Sequence, residues 1–439
     1  MLIRPDHIYG LTGQTIAALG PPVYDFAWFD LWAKPLGLMN LLALLAERGN
    51  DIYFLDAMHE GREKPLSFGR WKVRRAETAK PPVYQNIARR YYRFGLEPEA
   101  MRARLAAWPR PGLVLVTSIM TYWYPGVFET VALARELWPG VPVILGGIYA
   151  ALCPGHAASS GADHLLIDPD PPRPKQTRLD LYEQPGYGVL ATSHGCPRRC
   201  GYCASSLLTP RFRPRPLAEL TADLDQQMTL ESVGDLAFYD DALLWDKENR
   251  FYPLADHIRL RHPRLRLHSP NGLSVGDLDE RCCAALRSAG LATLRLSLEG
   301  IDEYTGAVSS GKTGAGAYER AVANLLAAGY DSQDIETYIL LGLPGQKLLD
   351  VERTIGFVRS AGASPKLCEF SPIPGTPLFQ EALKDDPGLA AEPLRHNNTV
   401  YAAHFSGRLD PGELQRLKSL SRGGVAVKKL DTDGGGGVQ

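Results

Sequence analysis

The chain has 439 residues, 45% of them hydrophobic, and a formal net charge of −1. This length and hydrophobic content predict two or three domains with large cores. The near-zero charge argues against a nucleic-acid-binding or membrane-surface protein. The most apolar run, residues 36–46, is too short to span a bilayer. Seven cysteines and no apolar leader predict a reducing, cytoplasmic compartment.

The first third of the chain alternates predicted strands with predicted helices. The predicted elements are strands at 51–56, 113–117, 141–145 and 164–167, and helices at 35–48 and 124–137. This alternation predicts an α/β domain over residues 1–170, with a doubly wound parallel sheet. Ligands of such sheets bind beyond the carboxyl ends of the strands, which here include Ser118, Gly146 and Gly147.

The alternation breaks in segment 62–111, which is rich in arginine with tyrosines among them. We interpret this segment as a solvated helical insertion; a cap over the first domain, or a contact for an anionic substrate or a partner, is the functional alternative. The proline-rich stretch 168–174 cannot continue a helix or a central strand. It predicts a domain boundary followed by a linker at 171–186.

A second series of strands begins at about Tyr187. Its predicted strands are 188–191, 236–239, 265–268, 294–299, 337–341 and 367–370. Six strands with helices between them predict a partial (β/α)6 barrel over 187–380, open on one side. Catalytic residues normally lie at the carboxyl ends of barrel strands. In the C-terminal segment, 381–439, Asp410 and Pro411 predict one helix, and the stretch 433–437, Asp433 followed by four glycines, predicts a disordered tail.

Three cysteines follow the first of these strands in the pattern C-x3-C-x2-C: Cys196, Cys200 and Cys203. Thiolates on so short a loop can converge on a soft metal centre. Iron–sulfur clusters normally take four cysteines, so three would leave one iron open to a ligand that is not protein. A zinc site is the alternative, but zinc loops usually pair with a second Cys or His pair, and here the nearest histidine is His194 in the same loop.

Residues 306–313 match the phosphate-loop pattern G-x4-G-K-T. That loop binds phosphate when it leaves a buried strand directly and opens a helix. Here residues 300–305 separate it from the preceding predicted strand. We therefore do not expect a nucleotide-hydrolysis site.

Taken together, these residues resemble the radical S-adenosylmethionine (radical SAM) superfamily. The cysteine loop, with Tyr202 before its third cysteine, resembles the superfamily signature. Later segments resemble its successive strand ends in order: 238–241, 270–273, 297–299, 342–345 and 372–376. Residues 1–170 resemble the N-terminal cobalamin-binding domain of one branch, chiefly at 35–38, 51–56 and 144–147.

The resemblance implies an enzyme that holds a 4Fe–4S cluster on the three cysteines and cleaves S-adenosylmethionine to a 5′-deoxyadenosyl radical. It implies S-adenosylmethionine contacts from Tyr202, Asp240, Asp241, Asn271, Ser297, Glu299, Leu343 and Ile373. Ser118, Gly146 and Gly147 would contact cobalamin. The implied partners are a small-molecule substrate and an external one-electron donor of flavodoxin or ferredoxin type.

The first hypothesis for function is a cobalamin-dependent methyltransferase acting on an unactivated carbon of a biosynthetic intermediate. The alternatives are a cobalamin-independent radical enzyme with a vestigial first domain, catalysing rearrangement, cyclisation or oxidation, and a non-catalytic iron–sulfur electron carrier. Cobalamin domains that supply a histidine to cobalt use D-x-H-x-x-G. Here His59 lies one residue late after Asp56, so we do not expect it to bind cobalt.

Overall fold

The structure, a computed structural model, describes residues 1–27, 32–312 and 314–423. The strands of the first part of the chain are β1 Thr15–Gly20, β2 Val23–Asp25, β3 Asp51–Asp56, β4 Arg62–Pro65, β5 Trp71–Val73, β6 Arg75–Thr78, β7 Tyr91–Phe94, β8 Leu113–Val116, β9 Val143–Gly146 and β10 His164–Leu166. Its helices are α1 Pro5–Tyr9, α2 Leu36–Glu47, α3 Ala57–Glu60, α4 Pro98–Ala106, α5 Tyr124–Leu137, α6 Ile148–Leu152 and α7 Pro154–Ala157.

Five of these strands form one parallel sheet in the order β10–β9–β8–β1–β3. The predicted doubly wound sheet is therefore confirmed. One of its internal strands, β1, was not among the predicted strands. Alternate residues of β1 pack on opposite faces, with Ile16 and Ala18 against α1 and α2, and Ala17 and Leu19 against α4 and α5. The strand order reverses between β1 and β8, so a ligand crevice is expected beyond the ends of these two strands.

The interpretation of segment 62–111 as a solvated helical insertion is wrong for residues 62–94, which contain four strands, whereas residues 98–106 form helix α4. Strands β4 and β5 form one antiparallel pair, and β7 pairs with both β2 and β6. The arginines are not all solvated, since Arg93 is buried and lies 2.7 Å from the carboxylate of Glu129. Tyr84 and Tyr91 pack in a hydrophobic cluster with Val400 of the C-terminal segment. Part of the segment, around Tyr84, Tyr91 and Arg93, is thus buried against tertiary partners that lie far away in the chain.

The second part of the chain also alternates strands and helices. Its strands are β11 Gly188–Leu190, β12 Ser193–His194, β13 Arg213–Pro214, β14 Asp235–Phe238, β15 Arg266–His268, β16 Leu273–Ser274, β17 Leu291–Glu299, β18 Ile335–Leu341 and β19 Ser364–Glu369. Its helices are α8 Ser205–Leu208, α9 Leu217–Gln227, α10 Phe251–Arg261, α11 Glu280–Ser288, α12 Glu303–Val308, α13 Ala315–Ala327, α14 Leu348–Ser360, α15 Pro377–Asp385, α16 Asn398–Val400 and α17 Pro411–Ser421, with a π-helix at Tyr401–Phe405.

Six strands of this part lie parallel and in chain order, β11–β14–β15–β17–β18–β19. Leu294 and Leu296 of β17 join the core shared with the surrounding helices. Because side chains alternate along a strand, Arg295, Ser297 and Glu299 of the same strand project from the opposite face. The predicted C-terminal helix is present as α17, and its cap is the side chain of Asp410. The predicted disordered tail at 433–437 lies outside the described residues.

The two sheets are joined on two sides. Tyr182, in the predicted linker, donates a hydrogen bond of 2.8 Å to the carboxylate of Asp56 at the end of β3. On the other side, the C-terminal segment contacts β2, the strand that follows β1 and belongs to the antiparallel sheet β2–β7–β6, where Asn397 donates to Asp25 at 3.0 Å. The linker is therefore packed against the first sheet rather than free. No helix in the described part of the chain is long and apolar enough to cross a membrane.

Candidate active site

The three cysteines lie on the loop between β12 and α8. The sulfur of Cys200 lies 3.4 Å from the carbonyl oxygen of Ser309, and the sulfur of Cys203 accepts the backbone N–H of Ser205 at 3.4 Å. Burial raises the pKa of the Cys196 thiol, while a backbone N–H from Arg198 acts in the opposite direction. The three thiols therefore lie in a partly desolvated loop whose neighbours are already in place.

The backbone of the loop is fixed by later parts of the chain. Gly201 donates to the carbonyl of Val308 at 2.7 Å, and its own carbonyl accepts the N–H of Leu378 at 2.9 Å. Gly195 has φ 74°, and a Cβ at this position would lie 2.9 Å from the carbonyl oxygen of Arg211. The cysteine loop is thus shaped by contacts with the ends of α12 and α15 and with the strand hairpin that follows it.

The spacing of the sulfurs bears on the zinc alternative. Tetrahedral zinc with Zn–S bonds of about 2.3 Å places its sulfurs about 3.8 Å apart. Across the described residues, the one group of three His, Cys, Asp or Glu side chains whose ligand atoms all lie within 4.8 Å of one another is Asp225, His257 and His262. The three cysteines of the loop do not belong to this group.

Asp240 holds the cysteine loop in place. Its carboxylate accepts hydrogen bonds from the backbone N–H and hydroxyl of Thr192, at 2.9 and 2.7 Å, and from the same groups of Ser193, at 2.9 and 2.8 Å. The side chain is buried, and that burial raises the pKa of Asp240 against the effect of these donors. Since its partners are already protein groups, Asp240 serves as an anchor rather than as a free acceptor.

Asp241 occupies the more available of the two positions. Asp241 is exposed and lines a cavity. Desolvation by the walls of that cavity raises the pKa of its carboxyl. Asn271 lines the same cavity and donates to the backbone carbonyl of Asp240 at 3.1 Å. Asp241 is therefore the acid of the pair that a ligand can reach.

Glu299 and Ser297 lie at and near the end of β17. Glu299 is 5% exposed and has φ 68°, a left-handed conformation that is uncommon outside glycine. Such backbone strain concentrates at functional sites. Ser297 is buried below it, and a Cβ on Gly272 would lie 2.9 Å from the Ser297 hydroxyl oxygen. The two residues and the 270–273 turn therefore lie in close contact.

Leu343 and Ile373 lie on two further strand-end turns. Leu343 is buried in a cluster that includes Tyr202 and Tyr401. Ile373 is half-buried, and its carbonyl accepts the hydroxyl of Thr376, the residue that caps α15, at 2.8 Å. The structure therefore brings Leu343 against Tyr202 and places Ile373 before the helix that contacts the cysteine loop.

Lys312 is a site residue that the sequence analysis missed. In the sequence, Lys312 is only part of the phosphate-loop pattern at 306–313. Gly306 of that pattern lies inside α12, so no phosphate loop forms. Thr313, its last residue, lies outside the described residues. The Lys312 ammonium lies 3.6 Å from the Glu299 carboxylate and 6.0 Å from the centre of the Tyr202 ring. No local pattern could have indicated this position, because it depends on how α12 packs against the cysteine loop.

A cavity of about 580 Å³ lies between the carboxyl ends of the two sheets. Residues of the second sheet on its wall are His194, Tyr239, Asp241 and Asn271. Residues of the first sheet and of α2 on its wall include Leu36, Leu41, Leu44, Ser118, Gly146 and Gly147. His194 therefore lines the cavity between the two sheets, a position that the sequence did not indicate. Burial lowers the pKa of its imidazole to about 4.

Ser118, Gly146 and Gly147 form a small-residue edge on the first sheet. The Ser118 hydroxyl donates to the carbonyl of Gly146 at 2.7 Å. Gly147 has φ 93°, and a Cβ there would lie 2.2 Å from the Ser118 carbonyl oxygen. The edge can therefore exist only with glycine at 147.

His59 does not line this cavity. It is buried, its ring centre lies 4.4 Å from that of Tyr182, and Arg62 donates to it. Asp56, which opens the loop, accepts from Tyr182. The displaced histidine thus belongs to the junction between the sheets.

Residues 190–358 match the family described as the Radical SAM superfamily. The chain carries a radical SAM domain. The matched stretch begins at β11 and contains the cysteine loop, so the predicted superfamily is confirmed, and with it the prediction of an enzyme.

Relatives of this radical SAM protein extend the comparison. An uncharacterized methyltransferase of Pyrococcus horikoshii is 23% identical over 216 residues, which cover 47% of this chain and 45% of the relative. The chain therefore spans less than half of that curated relative.

Solved structures match a larger share of the chain than this relative does. The methyltransferase TsrM from Kitasatospora setae, with cobalamin and a [4Fe-4S] cluster bound, has a TM-score of 0.62 at 16% identity, covering 85% of this chain and 75% of TsrM. TsrM with tryptophan substrate and a SAM analogue gives 0.63 at 16% identity, with coverages of 92% and 88%. OxsB with aqua-cobalamin and S-adenosylmethionine gives 0.54 at 9% identity, covering 86% of this chain and 56% of OxsB. These matches confirm the predicted fold class.

Proposed function

We propose that the protein is a cobalamin-dependent radical SAM methyltransferase that acts on an unactivated carbon of a small biosynthetic molecule. The observation that carries this proposal is the single cavity lined by the carboxyl ends of both sheets. A radical SAM enzyme without cobalamin needs only the second sheet, whereas methyl transfer through a second cofactor needs both cofactors to reach one substrate.

The second sheet offers the groups that a cluster and S-adenosylmethionine require. Cys196, Cys200 and Cys203 would hold the cluster through their thiolates. The buried hydroxyl of Tyr202 lies beside Cys200 and Glu299, so it belongs to the same group of side chains as the cluster ligands. Asp241 would accept the ammonium group of S-adenosylmethionine. When bound, the cluster supplies the electron that cleaves S-adenosylmethionine, and cobalamin carries the methyl group.

The remaining predicted contacts are assigned by position. Asn271, Ser297 and Glu299 would face the ribose. The turns at Leu343 and Ile373 would frame the adenine. Asp240 contributes indirectly, because its carboxylate fixes the backbone before the cysteines.

The first sheet fits cobalamin by shape. Leu36, Leu41 and Leu44 of α2 are partly exposed and face the cavity, which gives it an apolar wall. The edge at Ser118, Gly146 and Gly147 projects no large side chain into the same space. Two proteins with this fold hold cobalamin, TsrM and OxsB. His194 lies across the cavity from this edge and is placed to contact substrate or cofactor.

The substrate is a small molecule, in keeping with the volume of the cavity and with tryptophan in TsrM. The proposal also requires an external one-electron donor of flavodoxin or ferredoxin type.

The test is anaerobic reconstitution of the full chain with iron and sulfide, followed by incubation with S-adenosylmethionine and titanium(III) citrate, with and without hydroxocobalamin. We expect 5′-deoxyadenosine in both samples and S-adenosylhomocysteine, the product of methyl loss, only with cobalamin. The control is the triple Cys196→Ala, Cys200→Ala, Cys203→Ala variant. Neither product from the reconstituted protein would overturn the proposal. Cleavage with no response to cobalamin would favour the cobalamin-independent alternative.

A further inference from the structure

Two carboxylates face the cysteine loop. Asp241 faces it from the end of β14, and Glu299 faces it from the end of β17. Three cysteine thiolates would add further negative charge to the same space. Lys312 lies among these groups, with its side chain 16% exposed and its ammonium 3.6 Å from the Glu299 carboxylate. A cation enclosed in this way interacts strongly because solvent screens it little.

The backbone that carries Lys312 is fixed by the cysteine loop itself. Ser310 and Gly311 have φ 58° and 62°, so the chain turns sharply after α12. Two residues just before this turn contact the cysteine loop. The carbonyl of Val308 accepts the N–H of Gly201, and the carbonyl oxygen of Ser309 lies beside the sulfur of Cys200. The position of the ammonium is therefore tied to the position of the sulfurs, rather than set by a mobile surface side chain.

We propose that Lys312 is a positioning residue that favours reduction of the cluster and orients Glu299. The inference rests on the proposed function, because it requires a cluster on the three cysteines. Reduction adds one electron, taken from the external donor, and therefore one negative charge to the site. A fixed positive charge beside the sulfurs lowers the free energy of the reduced form more than that of the oxidised form, and nearby charge is one of the factors that set cluster potentials.

A purely structural ion pair with Glu299 is the competing explanation. It predicts a change in stability when Lys312 is removed, but no change in the potential of the cluster. The reduction potential therefore separates the two roles, whereas activity does not.

The experiment compares Lys312→Met, Lys312→Gln and Lys312→Arg in the reconstituted full chain, with EPR-monitored redox titration of the cluster. The matched control is Lys384→Met, since Lys384 forms an exposed ion pair with Glu381 on α15. We expect both neutral variants to shift to a more negative potential, by about 59 mV if the equilibrium constant for one-electron reduction falls tenfold. Lys312→Arg and Lys384→Met should stay near the wild-type value.

An unchanged potential in Lys312→Met or Lys312→Gln, at wild-type iron content, would overturn the inference. If both neutral variants fail to retain iron, Lys312→Arg decides: a cluster at the wild-type potential supports the proposal, and loss of the cluster, or a shifted potential, in this charge-conserving variant overturns it. A wild-type chain that holds no cluster would instead refute the proposed function, and that result is visible before any variant is made.

Discussion

The two sheets meet at one cavity but build their edges in opposite ways. The second sheet ends in charged and hydrogen-bonding groups, such as Asp241, Asn271 and Glu299. The first sheet ends in Ser118, Gly146 and Gly147, whose only side-chain polar group already donates to a neighbouring carbonyl. On the proposed function, one edge would select its ligand by charge and the other by available space. The comparison predicts that substitutions on the charged edge impair the binding of the cluster or S-adenosylmethionine, whereas substitutions on the small-residue edge impair the binding of cobalamin.

The largest effect is expected from removing a cysteine on the charged edge. Cys200→Ala should abolish cluster-dependent absorbance and all formation of 5′-deoxyadenosine, because two thiolates cannot replace three. The fold should survive, since the loop is also held by Asp240 and by the backbone of Gly201. Circular dichroism and iron analysis of the reconstituted protein measure the two outcomes separately.

Cys283→Ala is the matched control, because Cys283 is buried in the helix core. We expect normal iron content and a loss of about 1 kcal/mol in the free energy of unfolding, from the lost sulfur contacts. Wild-type cleavage activity in Cys200→Ala would contradict the assignment of the loop.

The next largest effect is expected from filling the small-residue edge. Gly147→Ala places a Cβ 2.2 Å from the carbonyl oxygen of Ser118 at φ 93°, so the edge must move. We expect loss of cobalamin retention after gel filtration and a destabilisation of more than about 1 kcal/mol. Iron content should not change, because the cysteine loop belongs to the other edge.

Gly155→Ala provides the comparison for this variant, since a Cβ there meets nothing within 4 Å. It should retain cobalamin like the wild type. If Gly147→Ala retained cobalamin equally well, the first sheet would not be the cobalamin site.

A third test separates the two adjacent acids at the end of β14. Asp240→Asn replaces one of the two accepting oxygens with an NH2 group that cannot accept, so at least one donor of Thr192 or Ser193 loses its partner, and we expect a destabilisation of about 2–3 kcal/mol and poor cluster retention. Asp241→Asn should leave stability unchanged and weaken S-adenosylmethionine binding by about tenfold, since one charge-assisted hydrogen bond is lost. Thermal melts and equilibrium binding measure the two effects. Equal behaviour of the variants would contradict the division of roles.

Sequence alone predicted the elements that carry their own pattern. The cysteine spacing, the glycine pair at 146 and 147, and α5 at Tyr124–Leu137 all depend on nearby residues, and the structure has them where expected. Strand β1 was missed because Thr15–Gly20 is rich in alanine, a poor strand former, and forms a strand only because neighbours cover both faces. Asp240 and Asp241 are equivalent in sequence, and only the donors of Thr192 and Ser193 distinguish them. Lys312 became a site residue through tertiary packing, which a local pattern cannot report.

The smallest effect is expected at Lys34, which lies at the junction where the two edges are held together. Its ammonium donates to the carbonyl of Pro185 at 2.7 Å, and its backbone N–H donates to the hydroxyl of Tyr239 at 3.0 Å. Burial lowers the pKa of Lys34 to about 7. In the unfolded chain the pKa of lysine is about 10.4, so between these two values the unfolded state binds a proton that the folded state does not. This group therefore adds stability as pH rises from 7, by at most about 1.4 kcal/mol per pH unit.

The measurement is the difference in melting temperature between the wild type and Lys34→Met at pH 7.0 and 8.5. We expect the difference to change in favour of the wild type as pH rises, while Lys384→Met shows a constant difference. Wild type and variant are compared at each pH because the buried thiols change stability in the opposite direction. Burial raises the pKa of Cys282 to about 12, so this thiol lowers the free energy of unfolding once the thiols of the unfolded chain ionise above about pH 8.5. A pH-independent difference for Lys34→Met would mean that the junction holds the lysine charged, through the carbonyl of Pro185 and the rings of Tyr182 and Tyr187. The two edges would then be joined by a buried charge as well as by packing.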